Sequence, residues 1–299
     1  MIGIVVEYNP FHNGHIRQLA WIKKEFPNEK IVIVMSDKFS QRGELIVAPF
    51  KQRKKIAKKY GVNKVLKLSL QEGVQAAHIF AKNAINKLYK YGINKLVFGS
   101  ESNNPEQMIK LAQFLNNNQT NFDEKIRYNI KQAKLAYPKA YQMALENLSG
   151  QSFIKPNDIL GFEYTKVIVN NNWPIKIFTL ARNVDFHSQE TNQNYASASL
   201  LRNMLLNNQD ITYFSPMKIK KMPNMEKFYS KFKKIMSTSP LTKIKKIPLV
   251  SEGIENLFLK HLNCRTYNEF IENCTSKRYT ASRIKRIMAW IVTKQWKKL

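Results

Sequence analysis

Cysteine is nearly absent from this chain: Cys264 and Cys274 are the two in 299 residues. Their spacing suits neither a zinc knuckle nor a disulfide framework, so reduced thiols in a cytoplasmic protein are expected. No apolar run is long enough to span a bilayer. The chain opens on a strand-like segment where a secretory protein would carry a leader, which points the same way. Acidic residues are also scarce, 21 Asp and Glu against 49 Lys and Arg, a formal net charge of +28. No cluster of carboxylates marks a dedicated metal site, and no internal repeat is present. What remains is ordinary for a globular chain. A hydrophobic content of 43% supports a packed core, and the length suits two modest domains or one large one with an appendage.

The positive charge is unevenly spread. Residues 217–299 hold 20 Lys and Arg against 5 Asp and Glu, net +15, which leaves +13 for the 216 residues before them. A basic region of that density predicts a polyanionic partner, with nucleic acid the first candidate; frequent Lys, Asn and Ile along the whole chain would also follow from genome composition. The basic stock is Lys218, Lys220, Lys221, Lys231, Lys233, Lys234, Lys277, Arg278, Arg283, Lys285 and Arg286, interleaved with Phe228, Tyr229, Phe232, Tyr279 and Trp290. Basic groups neutralise phosphates, whereas the helical spacing of those aromatics places most of them in a core.

Apolar runs at Ile2–Val6, Ile31–Met35, Lys64–Leu68, Lys95–Gly99 and Ile175–Leu180 read as strands. Helical spacing fills the gaps, from His15 to Lys24, Pro49 to Lys59 and Val74 to Lys90, and again across 105–147 and 157–169. Alternation of this kind predicts an α/β fold, a Rossmann-like parallel sheet with helices on both faces and its ligands beyond the carboxyl ends of the strands. That places residues 7–15, 36–42 and 99–102 around one crevice. After Pro216 the chain becomes Lys-rich, punctuated by Pro223, Pro240 and Pro248, and ends in a basic amphipathic helix from about Ser282 to Lys297. The expected division is 1–215 as the catalytic domain and 216–299 as a basic helical region.

Pro10-Phe11-His12-Asn13-Gly14-His15 stands where the first strand hands over to the first helix. A helix N-terminus offers free backbone N–H groups and the positive end of a dipole, so it attracts phosphate. Gly14 lets backbone approach a ligand, and imidazoles on either side supply hydrogen bonds as charge develops. Helix-capping or surface histidines would look the same in sequence. Further along, Ala196-Ser197-Ala198-Ser199-Leu200-Leu201-Arg202 sets two hydroxyls and a planar guanidinium at another helix start, a second phosphate-binding pattern or a Ser-rich cap.

The first of these segments resembles the HIGH signature of the nucleotidyltransferase superfamily, and the second resembles its ISSTxxR motif, whose hydroxyls and arginine hold the β- and γ-phosphates. Val6-Glu7-Tyr8-Asn9-Pro10-Phe11-His12-Asn13-Gly14-His15, Gln41-Arg42-Gly43-Glu44, Phe98-Gly99-Ser100-Glu101, Asn157-Asp158-Ile159-Leu160-Gly161, the Ala-Ser-Ala-Ser segment and Lys277-Arg278-Tyr279-Thr280 occur in the order found in the tRNA(Met) cytidine acetate ligase family. The resemblance implies an enzyme that makes N4-acetylcytidine at the wobble position of elongator tRNA(Met) from acetate and ATP, with Mg2+ expected alongside the nucleotide and no protein partner inferred. It implies His12 and His15 as catalytic groups. It implies an ATP site of Val5, Val6, Glu7, Tyr8, Asn9, Pro10, Phe11, His12, Asn13, Gly14, His15, Ile16, Arg17 and Gln18, completed by Gly99, Asn157, Arg182, Ser197, Ser199 and Arg202. Asn157 reads equally as an N-cap and Arg182 as a surface ion-pair residue.

Ser36, Gln41 and Arg42 are the candidates for acetate, although an Arg42–Glu44 turn ion pair would look identical in sequence. Lys277, Arg278, Arg283, Lys285 and Arg286 are the candidates for tRNA. The sequence departs from the family at Ser36-Asp37-Lys38, where relatives usually have Gly-Asn, and at Lys67-Leu68-Ser69, where they have Glu-Leu-Pro. Those changes bear on the acetate pocket more than on the ATP site. Two alternatives stand beside the ligase: a small-molecule adenylyltransferase, which would not need the basic C-terminal region, and an RNA-binding protein whose nucleotide site has lost catalysis.

Overall fold

The apolar runs bury both of their faces. In the second strand Val32 and Val34 pack into one cluster while Ile31, Ile33 and Met35 pack into another, the period-two pattern of a strand covered on both sides. A computed structural model describes residues 1–150, 158–182, 191, 194–220 and 222–295 of the chain. Five strands, β1 (Ile2–Val6), β2 (Ile31–Ser36), β3 (Lys64–Leu68), β4 (Lys95–Ser100) and β5 (Lys176–Ala181), form one sheet in the order β3-β2-β1-β4-β5. Every pairing is parallel. The order reverses between β1 and β4, so the crevice at their carboxyl ends is the topological switch point at which such sheets bind ligands.

Helices α1 (Asn13–Glu25) and α2 (Phe50–Lys59) cover one face of the sheet. After the short α3 (Leu70–Gly73), whose Leu70 packs toward the C-terminal helices, α4 (Ala77–Tyr91), α5 (Pro105–Asn117), α6 (Gln119–Lys131), α7 (Tyr137–Ser149) and α8 (Ile159–Asn170) lie on the other. The helical stretch expected across 105–147 is thus three helices, interrupted at Asn118 and at 132–136. Helix α8 lies close on β4, since a Cβ at Gly161 would collide with the Phe98 ring. After β5 come α9 (Ala198–Leu206), α10 (Glu226–Thr238), α11 (Leu241–Ile244), α12 (Ile254–Lys260), α13 (Tyr267–Cys274) and α14 (Ala281–Val292). Among the described residues no helix is long and apolar enough to cross a membrane.

Helices α10 to α14 close around a core of their own that includes Tyr229, Phe232, Phe258, Phe270 and Trp290. The sheet side contributes Phe39, Leu45 and Val74 to that same core. Conversely, Met217, Ile219 and Met222 pack with β1 and β2. The division expected at 215/216 therefore marks no break in packing: the change of core falls between Met222 and Met225, and two loops from the sheet reach across it.

Candidate active site

The turn after β1 is built by side chains that hold its backbone. Tyr8 adopts φ +52, in the left-handed region that a bulky residue seldom occupies, and the Asn9–Pro10 peptide is cis. Val47 donates its N–H to Asn9 Oδ1 at 2.9 Å, and Ser215 Oγ donates to the Phe11 carbonyl at 2.6 Å. Tyr8 and Phe11 are buried and pack edge-on, and both touch the His15 ring.

His12 is the N-cap of α1, and the two histidines form a reciprocal capping box. His12 Nδ1 accepts from the Gly14 N–H at 3.1 Å, and His15 Nδ1 accepts from the His12 N–H at 3.1 Å. The capping and phosphate-binding interpretations therefore coexist in the same two residues. An imidazole that accepts through Nδ1 while neutral carries its proton on Nε2, so both rings keep a donor for a ligand. Burial, reinforced by Arg182 and Arg202, pulls His12 down to about 4. Burial, then His12 and Arg182, holds His15 well below the usual imidazole range. Two neutral donors, with ring centroids 3.8 Å apart, are the result. Gly14 is needed where it is because a Cβ would sit 2.8 Å from His12 Cε1.

The second phosphate-binding pattern is brought to the same turn. Ser197 caps α9 by accepting from the Leu200 N–H at 3.0 Å, and its hydroxyl lies 2.9 Å from that of Ser199. Arg202 Nη1 donates to the Asn9 carbonyl at 2.9 Å, tying α9 to the histidine turn. On the other flank Arg17 Nη1 donates to the Ala181 carbonyl at the end of β5, and Arg182 lies across Gly99 with Nε 3.6 Å from where a Cβ would stand. Asn13 is used structurally, its amide donating to the Asn194 and Tyr213 carbonyls. Val6 is buried and Val5 packs against the opposite core, which leaves only their backbone for a ligand. Asn157 lies outside the described residues. A cavity of about 490 Å³ runs along α1 beside Asn13, Arg17 and Asn194; a second, about 500 Å³, opens between α5, α8 and the amino end of β5, whereas the histidines follow the carboxyl end of β1.

Sequence reasoning missed two residues. Arg53 on α2 is fully buried, and its guanidinium donates to the carbonyls of Glu7 (2.7 Å), Ser36 (2.8 Å), Ala48 (3.0 Å) and Asp37. It clamps the carboxyl ends of β1 and β2 together. Burial draws it down to about 10, against the pull of Glu7 and Asp37, so it remains a cation near neutrality. Asp158, also buried, accepts from the Glu101 and Ser102 N–H groups at 2.9 Å each and so holds the loop after β4. A lone Arg in the Lys-rich run 51–59 carries no spacing signal, and Asp158 was hidden behind its neighbour Asn157.

At the end of β2, Gln41 donates its backbone N–H to Glu7 Oε1 at 2.6 Å and its amide to the Gln75 carbonyl at 2.7 Å. Burial raises the Glu7 carboxyl, opposed by that N–H and by Arg202, Arg42 and Arg53. Glu44 pairs with Lys285 at 2.7 Å. The two departures from the family pattern face one another: Lys67 pairs with Asp37 at 2.7 Å across β2 and β3, while Ser69 caps α3 in a box with Glu72.

The residues expected to touch tRNA divide. Lys277 and Arg278 are exposed, Arg278 with Glu252 as a partner at 3.5 Å. Arg283 is committed to Glu252, Ser251 and the Leu249 carbonyl. Lys285 is the partner of Glu44, and Arg286 is buried against Gln75. Both were expected to touch tRNA; α14 turns them toward the loops of the sheet. Tyr229, Phe232, Tyr279 and Trp290 are core.

A parallel sheet of this order, with a His-x-Gly-His cap at its switch point and an arginine-bearing helix tied to it, defines a nucleotidyltransferase, and the family model for HIGH Nucleotidyl Transferase matches residues 1–298. The tRNA(Met) cytidine acetate ligase of Mycoplasmopsis synoviae is 51% identical over 98% of this chain and 96% of its own, and that of Mycoplasma mobile is 48% identical over 97% and 98%. The solved structure of Thermotoga maritima TmcAL superposes with a TM-score of 0.86 at 28% identity, covering 98% of this chain and 74% of that one. A second form of that protein, bound with alpha-thio ATP, superposes at 0.82. The chain belongs to the tRNA(Met) cytidine acetate ligase family.

Proposed function

We propose that this protein is an ATP-dependent ligase that activates acetate as acetyl-adenylate and transfers the acetyl group to the wobble cytidine of elongator tRNA(Met). The reciprocal histidine cap carries this reading, because it sets two neutral Nε2–H donors at a helix N-terminus beside Arg202. Acetate oxygen attacks the α-phosphorus, the bond to the bridging β-oxygen breaks, and pyrophosphate leaves. Charge that grows on the phosphoryl oxygens in that step is met by donors already in place. The cytidine amine then attacks the acetyl carbon, loses a proton and displaces AMP. Both steps need positioning rather than a nucleophile from the protein, and none is recruited.

Among the described residues no group of three or more His, Cys, Asp or Glu is arranged to hold a metal. Magnesium is assigned to the triphosphate it accompanies, and no step is routed through it. Against the small-molecule adenylyltransferase, α10 to α14 form a core and a basic surface that a small acceptor does not need.

The test is nucleoside analysis of tRNA incubated with protein, ATP and acetate, alongside exchange of labelled pyrophosphate into ATP. N4-acetylcytidine with acetate-dependent exchange is the expected result. Exchange that ignores acetate but responds to a phosphorylated small molecule overturns it.

A further inference from the structure

Arg286 is 9% exposed, yet its Nη1 has only the neutral Gln75 carbonyl, at 3.1 Å, and its Nε has no acceptor. Among the described residues no ion pair includes it, and the ionised groups facing it are two further cations, Arg283 and Arg42. A guanidinium taken out of water among like charges calls for an anion. Around it the polar groups are buried too. Gln41 Nε2 donates to the same Gln75 carbonyl, and the Gln41 N–H donates to Glu7, so hydrogen bonds run without a break from Arg286 to the end of β1. Ser36 Oγ, fully buried at the end of β2 against α3, also has no partner. A third orphan, Gln75 Oε1, is an acceptor; its amide is oriented by Nε2 donating to the Gln71 carbonyl at 2.8 Å, and it takes no part in holding an anion.

We infer that Arg286, delivered by α14 from the C-terminal region, and Ser36, delivered by β2, seat the carboxylate of the acid that is activated, with Arg42 at the outer side. This deepens the ligase reading and rests on it. A planar guanidinium and a hydroxyl match the two oxygens of one carboxylate. Because Ser36, Gln41, Gln75 and Arg286 are all at least nine-tenths buried, the acid proposed for this seat is one of very few carbons. Gly43 keeps it closed: a Cβ there would meet the backbone of Lys285 and Arg286.

The experiment is steady-state pyrophosphate exchange with the full-length Arg286→Gln protein, together with tRNA affinity measured by filter binding. Loss of a charge-assisted pair is expected to raise the KM for acetate about 10- to 100-fold, with the KM for ATP and the affinity for tRNA within about threefold of wild type. Arg286→Lys, which keeps the charge and loses the fork, falls between. An unchanged acetate KM overturns the seat, and so does a loss confined to tRNA affinity, which returns Arg286 to RNA. Should Arg286→Gln fail to fold, Ser36→Ala takes its place, with a rise of several-fold in acetate KM expected and no change overturning the proposal. Wild-type protein without any acetate-dependent exchange sinks the ligase reading itself, a result distinct from a normal wild type beside an indifferent variant.

Discussion

The reciprocal cap of His12 and His15 holds only while both rings are neutral, because an imidazolium would lose the Nδ1 acceptor that takes the backbone N–H. The proton that each ring retains sits on Nε2, since Nδ1 is occupied by a backbone N–H, and burial with nearby arginines keeps a second proton away. An NMR titration of the free protein is expected to place the His12 midpoint near 4, against an ordinary 6.5. Between those two values the unfolded chain binds more protons at this position than the folded one, so stability rises with pH across the window and is lost on acidification. A midpoint at 6.5 would remove the electrostatic case. These two histidines and Arg202 were legible in the sequence because the chemistry needs fixed spacings at helix starts. Arg53 was not, because a side chain that binds four carbonyls from three different segments is specified by tertiary structure alone. Nor could the sequence show that Lys67 and Asp37 compensate one another across two strands.

At the scale of elements, all five strands and the helices flanking the histidine turn lie within one or two residues of where hydrophobic periodicity puts them, since each must bury a definite face. The three-way division of 105–147 escaped, as Asn118 and the 132–136 turn carry neither glycine nor proline to announce a break. The expected role of α14 changed most. A basic amphipathic helix reads as an RNA contact, yet its polar face turns inward, with Lys285 on Glu44, Arg286 on Gln75 and Trp290 Nε1 on the Val74 carbonyl. Gly43 stands at this junction with φ +82 and no room for a side chain. Gly43→Ala is expected to cost about 2 kcal/mol or more and to lower acetate-dependent exchange, because α14 cannot seat without shifting. Urea unfolding and an exchange assay check this, and unaltered values for both would show that the contact is dispensable.

For the whole molecule, part of the basic stock read from the sequence lies on one exposed helix face, and Lys277 and Arg278 are exposed as well. Lys227, Lys231 and Lys234 are exposed at helical spacing along α10 and point away from the core that Tyr229, Phe232 and Ile235 build. Replacing all three by Glu is expected to weaken tRNA binding and to flatten its dependence on salt by up to about one logarithmic unit per lost phosphate contact. Acetate-dependent exchange without tRNA should be unaffected. Equal losses in both assays would mean that α10 serves the catalytic site instead.

The bridge from α14 to the sheet also has a history in time. Arg286 and Gln75 are separated by 211 residues of chain, and Lys285 and Glu44 by 241. Contacts between such distant positions carry a large loop-closure cost and form late. The histidine turn is closed by contacts nearly as distant, Arg202 with Asn9 across 193 residues and Ser215 with Phe11 across 204, so the nucleotide cradle waits on the same late stretch of chain. On refolding, uptake of ATP and dependence on acetate are therefore expected to return together, since neither can precede the docking of the last third of the chain.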